Sequence, residues 1–138
     1  MQLNLTTDYA IRIILYLYTV DRVATVAEIA DKMVISQKYL PMITKKLSEK
    51  GLVESKAGRD GGLKTAKPAD EVTLWDIIST MEKTVKINRC LDEDEYCSRF
   101  ATANCPVRQF YLDFQAELED KLSNLTIKNL LDKAHESE

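Results

Sequence analysis

From Thr6 to roughly Val20 apolar residues run almost unbroken, with Ala10, Ile11, Ile13, Ile14, Leu15 and Leu17 among them. That density predicts a first helix buried on most sides, capped by Thr6 or Thr7. Asp8 and Arg12 interrupt the run, so it reads as a core helix and not as a membrane span. Thr25 then caps a short predicted helix, Val26 to Met33. After the connector Val34-Ile35, Ser36 opens another that runs to Lys50 and stops at Gly51. Leu40, Ile43 and Leu47 recur at spacings of three and four and should face the core. Gln37, Lys38, Pro41 and Lys45 then face outward, in a helix-turn-helix pattern.

The period changes after Gly51. Leu52, Val53 and Glu54 begin a strand, the turn segment Gly58-Arg59-Asp60-Gly61-Gly62 follows, and Leu63 to Ala66 returns as the second strand of a hairpin, ended by Pro68. All four glycines lie between Gly51 and Gly62, where tight turns call for positive φ. Thr73 caps a further helix, Leu74 to about Lys83, with Leu74, Ile77, Ile78 and Met81 as its core stripe and Trp75 as packing. From Thr84 to Asn104 no period is sustained, and the segment reads as a loop. Pro106 starts the longest helix, where Val107, Phe110, Phe114, Leu118 and Leu122 repeat at three and four, extended by Tyr111 and Leu125. A last helix, Thr126 to Ala134, packs alongside.

The expected architecture is mainly α with a small β-wing: a winged helix-turn-helix over residues 1–83, then a cysteine-containing loop and a long C-terminal dimerisation helix over residues 84–138. Too little chain remains to cover the long helix's apolar face within one protomer, so a homodimer is expected. With 138 residues the chain suffices for one respectable core, and its composition is that of a folded protein without a signal-peptide pattern or an apolar run of membrane length. A cytoplasmic location with no membrane partner follows as the expectation.

A net charge of -3 argues on average against a nucleic-acid partner, but the distribution reverses that reading. From Ser36 to Lys67 eight basic residues face three acidic ones, on an otherwise acidic chain. Such a local patch marks a phosphate-facing surface. In helix-turn-helix proteins the first residues of the second helix meet base edges in the major groove. Here they are Ser36, Gln37, Lys38 and Tyr39. Gln37 suits adenine, Lys38 guanine or a phosphate, and Ser36 and Tyr39 the backbone that fixes register, with Lys45 further along the outward face. Arg59 at the wing tip suits the minor groove of an A·T-rich stretch.

Cys90, Cys97 and Cys105 are spaced C-x6-C-x7-C. An odd count in a reducing compartment is no disulfide framework, and no close C-x2-C pair indicates structural zinc. Three thiolates on a loop suit an iron-sulfur cluster that borrows a fourth ligand. Incidental thiols, or a thiol-disulfide switch between Cys90 and Cys97, remain open alternatives. His135, the only histidine, lies in a polar tail and is a poor ligand candidate.

The segments LTTDYAIRIILYL, VAEIADKMVISQKYLPMITKKLSEKGLV, SKAGRDGGLKTAKP and CPVRQF together resemble the Rrf-type winged-helix regulators, the family of the nitric-oxide-sensing repressor NsrR and the iron-sulfur assembly regulator IscR, over nearly the whole chain. In IscR-like members a histidine three residues after the third cysteine helps hold a 2Fe-2S cluster; Arg108 stands there in this chain. In NsrR-like members three cysteines hold a 4Fe-4S cluster, and an aspartate in a TDYA motif completes it from the partner subunit; this chain has Thr7-Asp8-Tyr9-Ala10. The resemblance thus implies Cys90, Cys97, Cys105 and, in trans, Asp8 as ligands of a 4Fe-4S rather than a 2Fe-2S cluster. It implies a homodimeric repressor of a palindromic double-stranded DNA operator, released when nitric oxide or another oxidant attacks the cluster. From the residues alone, Asp8 is equally a carboxylate favouring the helix macrodipole. The wing carries Ala57 where the family often has arginine.

Two other readings stand beside this one. A cluster-free thiol-redox regulator would share the fold, and a winged helix can serve as a protein-interaction module without binding DNA. No nucleophile-base pair or phosphate-binding loop points to an enzyme.

Overall fold

The computed structural model describes residues 1–137, which form six α-helices and one two-stranded antiparallel sheet. The helices are α1 (Leu5–Val20), α2 (Val26–Met33), α3 (Leu40–Glu49), α4 (Leu74–Met81), α5 (Pro106–Ser123) and α6 (Ile127–Glu136). The strands β1 (Val53–Lys56) and β2 (Gly62–Thr65) pair in register from Val53 opposite Thr65 to Lys56 opposite Gly62. This is the predicted winged helix-turn-helix followed by a long helix. No helix among the described residues is long and apolar enough to cross a membrane.

The core is the union of the predicted stripes. Ile13 and Ile14 of α1, Ile29 of α2, Leu40, Ile43 and Leu47 of α3 and Ile77 of α4 are all fully buried. Ile127 of α6 is buried with them, so the C-terminal segment contributes to the same core as the N-terminal one. Two capping boxes hold that junction. Thr73 with Asp76 starts α4, Thr126 with Asn129 starts α6, and the two threonines face each other in a β-bridge. The Ile127 N–H donates to the Val72 carbonyl and the Leu74 N–H to the Leu125 carbonyl, both at 2.9 Å.

Several element ends differ from the sequence expectation, each for a physical reason. The N-cap of α1 is Asn4, not Thr6 or Thr7, and it does not cap with its own side chain. Instead the Glu82 carboxylate, just past α4, accepts from the Asn4 backbone N–H at 2.7 Å, the Asn4 amide at 2.6 Å and the Thr7 hydroxyl at 3.0 Å. A carboxylate there satisfies orphan donors and sits favourably at the positive end of the helix dipole. Ser36 makes no side-chain cap, and Gln37–Tyr39 form a 3₁₀ turn before α3 begins at Leu40. Pro41 has no N–H to donate and is best placed in a first turn, which moves the α-helical start to Leu40.

The turn between α2 and α3 is tight. Val34 closes α2 in the left-handed conformation, φ 56°, and is 81% exposed. A β-branched residue holds that conformation only at a cost. The wing base is tighter still. The Ala24 N–H donates to the Leu63 carbonyl at 2.9 Å and the Leu63 N–H to Ala24 at 2.8 Å, so the α1–α2 connector runs as a third short rung against β2. A Cβ on Gly62 would lie 2.2 Å from the Ala24 carbonyl oxygen. Close backbone approach is therefore what excludes any larger residue there.

The segment from Thr84 to Asn104 is irregular apart from two 3₁₀ turns, Arg89–Leu91 and Thr102–Asn104. Gln115 of α5, only 4% exposed, anchors its start by accepting from the Ile87 N–H at 2.9 Å and donating to the Val85 carbonyl at 2.8 Å. The apolar face of α5 is uncovered toward its beginning: Val107 is 53% and Phe110 63% exposed, with Phe110 stacked on Phe114. Further along, Leu118 and Leu122 line a largely apolar groove of about 550 Å³ with Leu3, Trp75 and Ile78.

Candidate nucleic-acid interface and cysteine pocket

The winged helix presents one basic face. Ser36, Gln37, Lys38 and Lys45 are exposed along the 3₁₀ turn and α3, together with Lys46, and Arg59 is exposed at the wing tip. The Ile43 and Leu47 side chains lock α3 to the core, so its outward row is fixed by burial of the inward one. On the wing, Lys56 and Lys64 both lie beside Glu54, at 3.6 and 3.5 Å. These exposed pairs contribute little to stability and compete weakly with a phosphate.

Tyr39 sits differently from its neighbours. It is half-buried, its ring 5.6 Å from that of Tyr9 on α1, and the Lys38 ammonium lies 5.1 Å over its face. Arg12 stands over the other side of this arrangement, 5.3 Å from the Tyr9 ring. Its guanidinium pairs with Asp8 at 2.7 Å and donates to the Met33 carbonyl, the last residue of α2, at 3.2 Å. Asp8, Arg12, Tyr9, Tyr39 and Lys38 thus form one continuous set of contacts from the start of α1 to the 3₁₀ turn before α3. Sequence reasoning missed Tyr9 and Arg12 because their significance lies in a contact across two helices that no local pattern encodes.

Cys90, Cys97 and Cys105 are free and half-buried, and all three line a single pocket of about 370 Å³. Cys90 comes from the first 3₁₀ turn, Cys97 from the loop, and Cys105 from the N-cap of α5, where its sulfur accepts from the Arg108 N–H at 3.4 Å. Backbone N–H groups of Ala101, Arg99 and Phe100 directed at the Cys97 sulfur hold that thiol below its ordinary range. Among the described residues the rest of the lining is Asn88, Arg89, Tyr96, Ser98, Thr102, Val107, Arg108 and Tyr111, with no carboxylate and no imidazole. Asp8 of the same chain is not among them; it is engaged with Arg12. Among the described residues no three metal-ligating side chains stand preassembled at coordination distance. Three thiols on one pocket wall are the donor type that an iron-sulfur cluster takes, and among the described residues that wall offers no carboxylate or imidazole as a fourth.

Two residues that sequence reasoning left without a role organise this region. Glu82 fixes the start of α1, which carries Asp8, and Gln115 fixes the entry of the cysteine loop. Gln115 had one legible sign, a polar residue next to Phe114 within the apolar stripe. Glu82 had none, since its partners lie more than seventy residues away in sequence.

Comparison with known proteins places this geometry. The sequence model of the Rrf2 family, described as iron-dependent transcriptional regulators, matches residues 3–133. A helix-turn-helix transcriptional regulator of Aquifex aeolicus is 34% identical over 127 residues, 91% of this chain and 88% of its own length. The regulator NsrR of Shouchella clausii is 28% identical over 133 residues, covering 95% of this chain and 89% of that protein. Among solved structures, CymR, the global cysteine regulator of B. subtilis, superposes with a TM-score of 0.78 at 22% identity, over 96% of this chain and 98% of that one, a likeness of fold. A family match over almost the entire chain, on a winged helix with an exposed basic face, leads to one conclusion: this protein belongs to the Rrf2 family of transcriptional regulators.

Proposed function

We propose that the protein is a homodimeric DNA-binding repressor whose affinity for a palindromic operator is controlled by an iron-sulfur cluster, 4Fe-4S in type, held by Cys90, Cys97 and Cys105 of one subunit and Asp8 of the other. The observation that carries this reading is the convergence of three free thiols on one pocket that lacks any carboxylate or imidazole of its own. When bound, such a cluster supplies reactivity toward nitric oxide and oxidants that protein side chains lack.

The chain's own residues account for the coupling. In the single chain Asp8 neutralises Arg12. An Asp8 carboxylate committed to the partner's cysteine pocket leaves Arg12 to its remaining contacts, the Tyr9 ring and the Met33 carbonyl. Tyr9 supports Tyr39, and Tyr39 supports Lys38, so the exchange at Asp8 shifts the base-reading turn. Two such turns, held by paired α5 helices, address successive major grooves. Ser36, Gln37 and Lys38 read or anchor there, Lys45 contacts phosphate, Tyr39 orients Lys38, and Arg59 probes the minor groove.

The test is anaerobic reconstitution with iron and sulfide, followed by operator binding with and without nitric oxide. A stoichiometric cluster chromophore and DNA release on nitric oxide are expected. Protein that retains neither iron, sulfide nor visible absorbance sinks the cluster reading. A second reading would then lead: a thiol-redox regulator of the same fold, favoured by the thiolate-stabilising N–H groups around Cys97.

A further inference from the structure

Arg108 lines the pocket from the first turn of α5 and hydrogen-bonds two of the three cysteines through separate groups. Its backbone N–H donates to the Cys105 sulfur at 3.4 Å. Its side-chain Nε donates to the Cys90 carbonyl at 3.2 Å, across eighteen residues of sequence. One terminal nitrogen then pairs with the Glu95 carboxylate at 3.2 Å. The Arg108 side chain is 16% exposed, whereas Glu95 is 60% exposed, so the guanidinium is the inward member of the pair.

Glu95 supplies an independent sign. Its φ is 47°, in the left-handed region that costs a side-chain-bearing residue conformational energy. The tertiary contact made by its side chain is the ion pair with Arg108. An ion pair this exposed would by itself hold little. Here it works beside a second, more shielded bond from the same planar guanidinium to the Cys90 carbonyl, and the rigid fork of arginine makes the two compatible. A guanidinium stays protonated and cannot ligate a metal, so these contacts are its role in the pocket.

We propose that Arg108 is a positioning residue that latches the cysteine loop onto α5, tying Cys90 and Glu95 to the start of that helix and limiting reagent access to the thiols. The inference deepens the sensing reading and rests on it for its biological meaning: the latch would set how readily a small oxidant reaches the site. The contacts themselves concern the protein without any bound group.

The test therefore uses the full-length, reduced, metal-free protein. N-ethylmaleimide labelling of Cys90, Cys97 and Cys105 is followed separately by mass spectrometry, for wild type, Arg108→Ala and Arg108→Lys. Arg108→Ala is expected to accelerate labelling of Cys90 about tenfold, equivalent to about 1.4 kcal/mol of lost closure. Arg108→Lys, which keeps the charge but not the fork, is expected to fall between the two. Cys97, whose N–H partners lie within its own turn, should accelerate least. A Cys90 rate within twofold of wild type in both variants overturns the latch. So does equal acceleration of all three thiols in the Lys variant while its thermal unfolding matches wild type. Because no cluster is present in this assay, its outcome is independent of whether the protein binds iron.

Discussion

Single residues carry strain and close contacts that set local limits. Val34 holds a left-handed φ of 56° on the exposed turn between α2 and α3. Val34→Gly relieves that conformation and is expected to stabilise the protein by about 1 kcal/mol, measured by urea denaturation. The opposite sign holds at the wing base. Gly62→Ala would drive a methyl against the Ala24 carbonyl and is expected to cost about 2–3 kcal/mol by the same measurement. Both effects could be placed only approximately from sequence, because the glycine-rich run signals a turn without saying which position meets another strand.

An ion pair on the α1–α2 surface gives a pH-dependent expectation at the same scale. Arg22 donates twice to Glu28, at 3.0 Å each, and Tyr16 donates to the same carboxylate. Arg22 first, and Tyr16 second, hold the Glu28 carboxyl below its ordinary range. Its folded pKa is thus lower than the unfolded value of about 4.3. The stabilisation is complete above that unfolded value and is lost as pH falls through the folded one. Thermal midpoints of wild type should therefore exceed those of Arg22→Ala at neutral pH, with the difference shrinking below about pH 4.

At the level of elements, the helix-turn-helix and wing were legible because burial imposes periodicity. Leu40, Ile43 and Leu47 recur at helical spacing and are all fully buried, which leaves Lys38 and Lys45 outward. What periodicity could not reveal was the 3₁₀ turn at Gln37–Tyr39, set by the position of Pro41, or the half-burial of Tyr39 against Tyr9. DNA retention reads these elements directly. Lys45→Ala should lower the slope of log affinity against log salt by about 1, the loss of one phosphate contact. Arg12→Ala should leave that slope unchanged while weakening the response of DNA binding to nitric oxide, because the contacts of Arg12 are with α1 and the end of α2. An unchanged response in a folded Arg12→Ala protein would remove the contact set from Asp8 to Lys38 as the route of coupling.

The three cysteines show the same division at element scale. Their number, spacing and loop setting were visible in the chain. They line one pocket where Cys105 is the N-cap of α5 and Arg108 reaches back to Cys90, contacts made only once the loop is folded onto the helix.

For the molecule as a whole, the exposed apolar face of α5 is the surface that the proposed pairing would bury. Phe110→Glu changes a residue that is 63% exposed in the protomer and should leave its fold intact while shifting the proposed dimer to monomer in light scattering. The core, by contrast, is shared along the chain. Ile127 of the last helix is fully buried and belongs to the same core cluster as the inward residues of α1 and α4. Ile127→Ala is expected to cost about 3 kcal/mol and to lower one cooperative transition rather than create two.

The sequence by itself determined the element types, their order, the inward and outward faces of α3, the family resemblance and the identity of the three thiols, because each is written in local spacing or residue chemistry. Only the tertiary structure decided that Glu82 holds the start of α1, that Asp8 turns to Arg12 within the chain, that Tyr39 leans on Tyr9, and that Arg108 bridges Cys90 and Glu95. These join residues far apart in the chain, and a hydrogen bond or ring contact between them leaves no periodic trace: it is selected by the packing of whole helices, not by the neighbours of either residue.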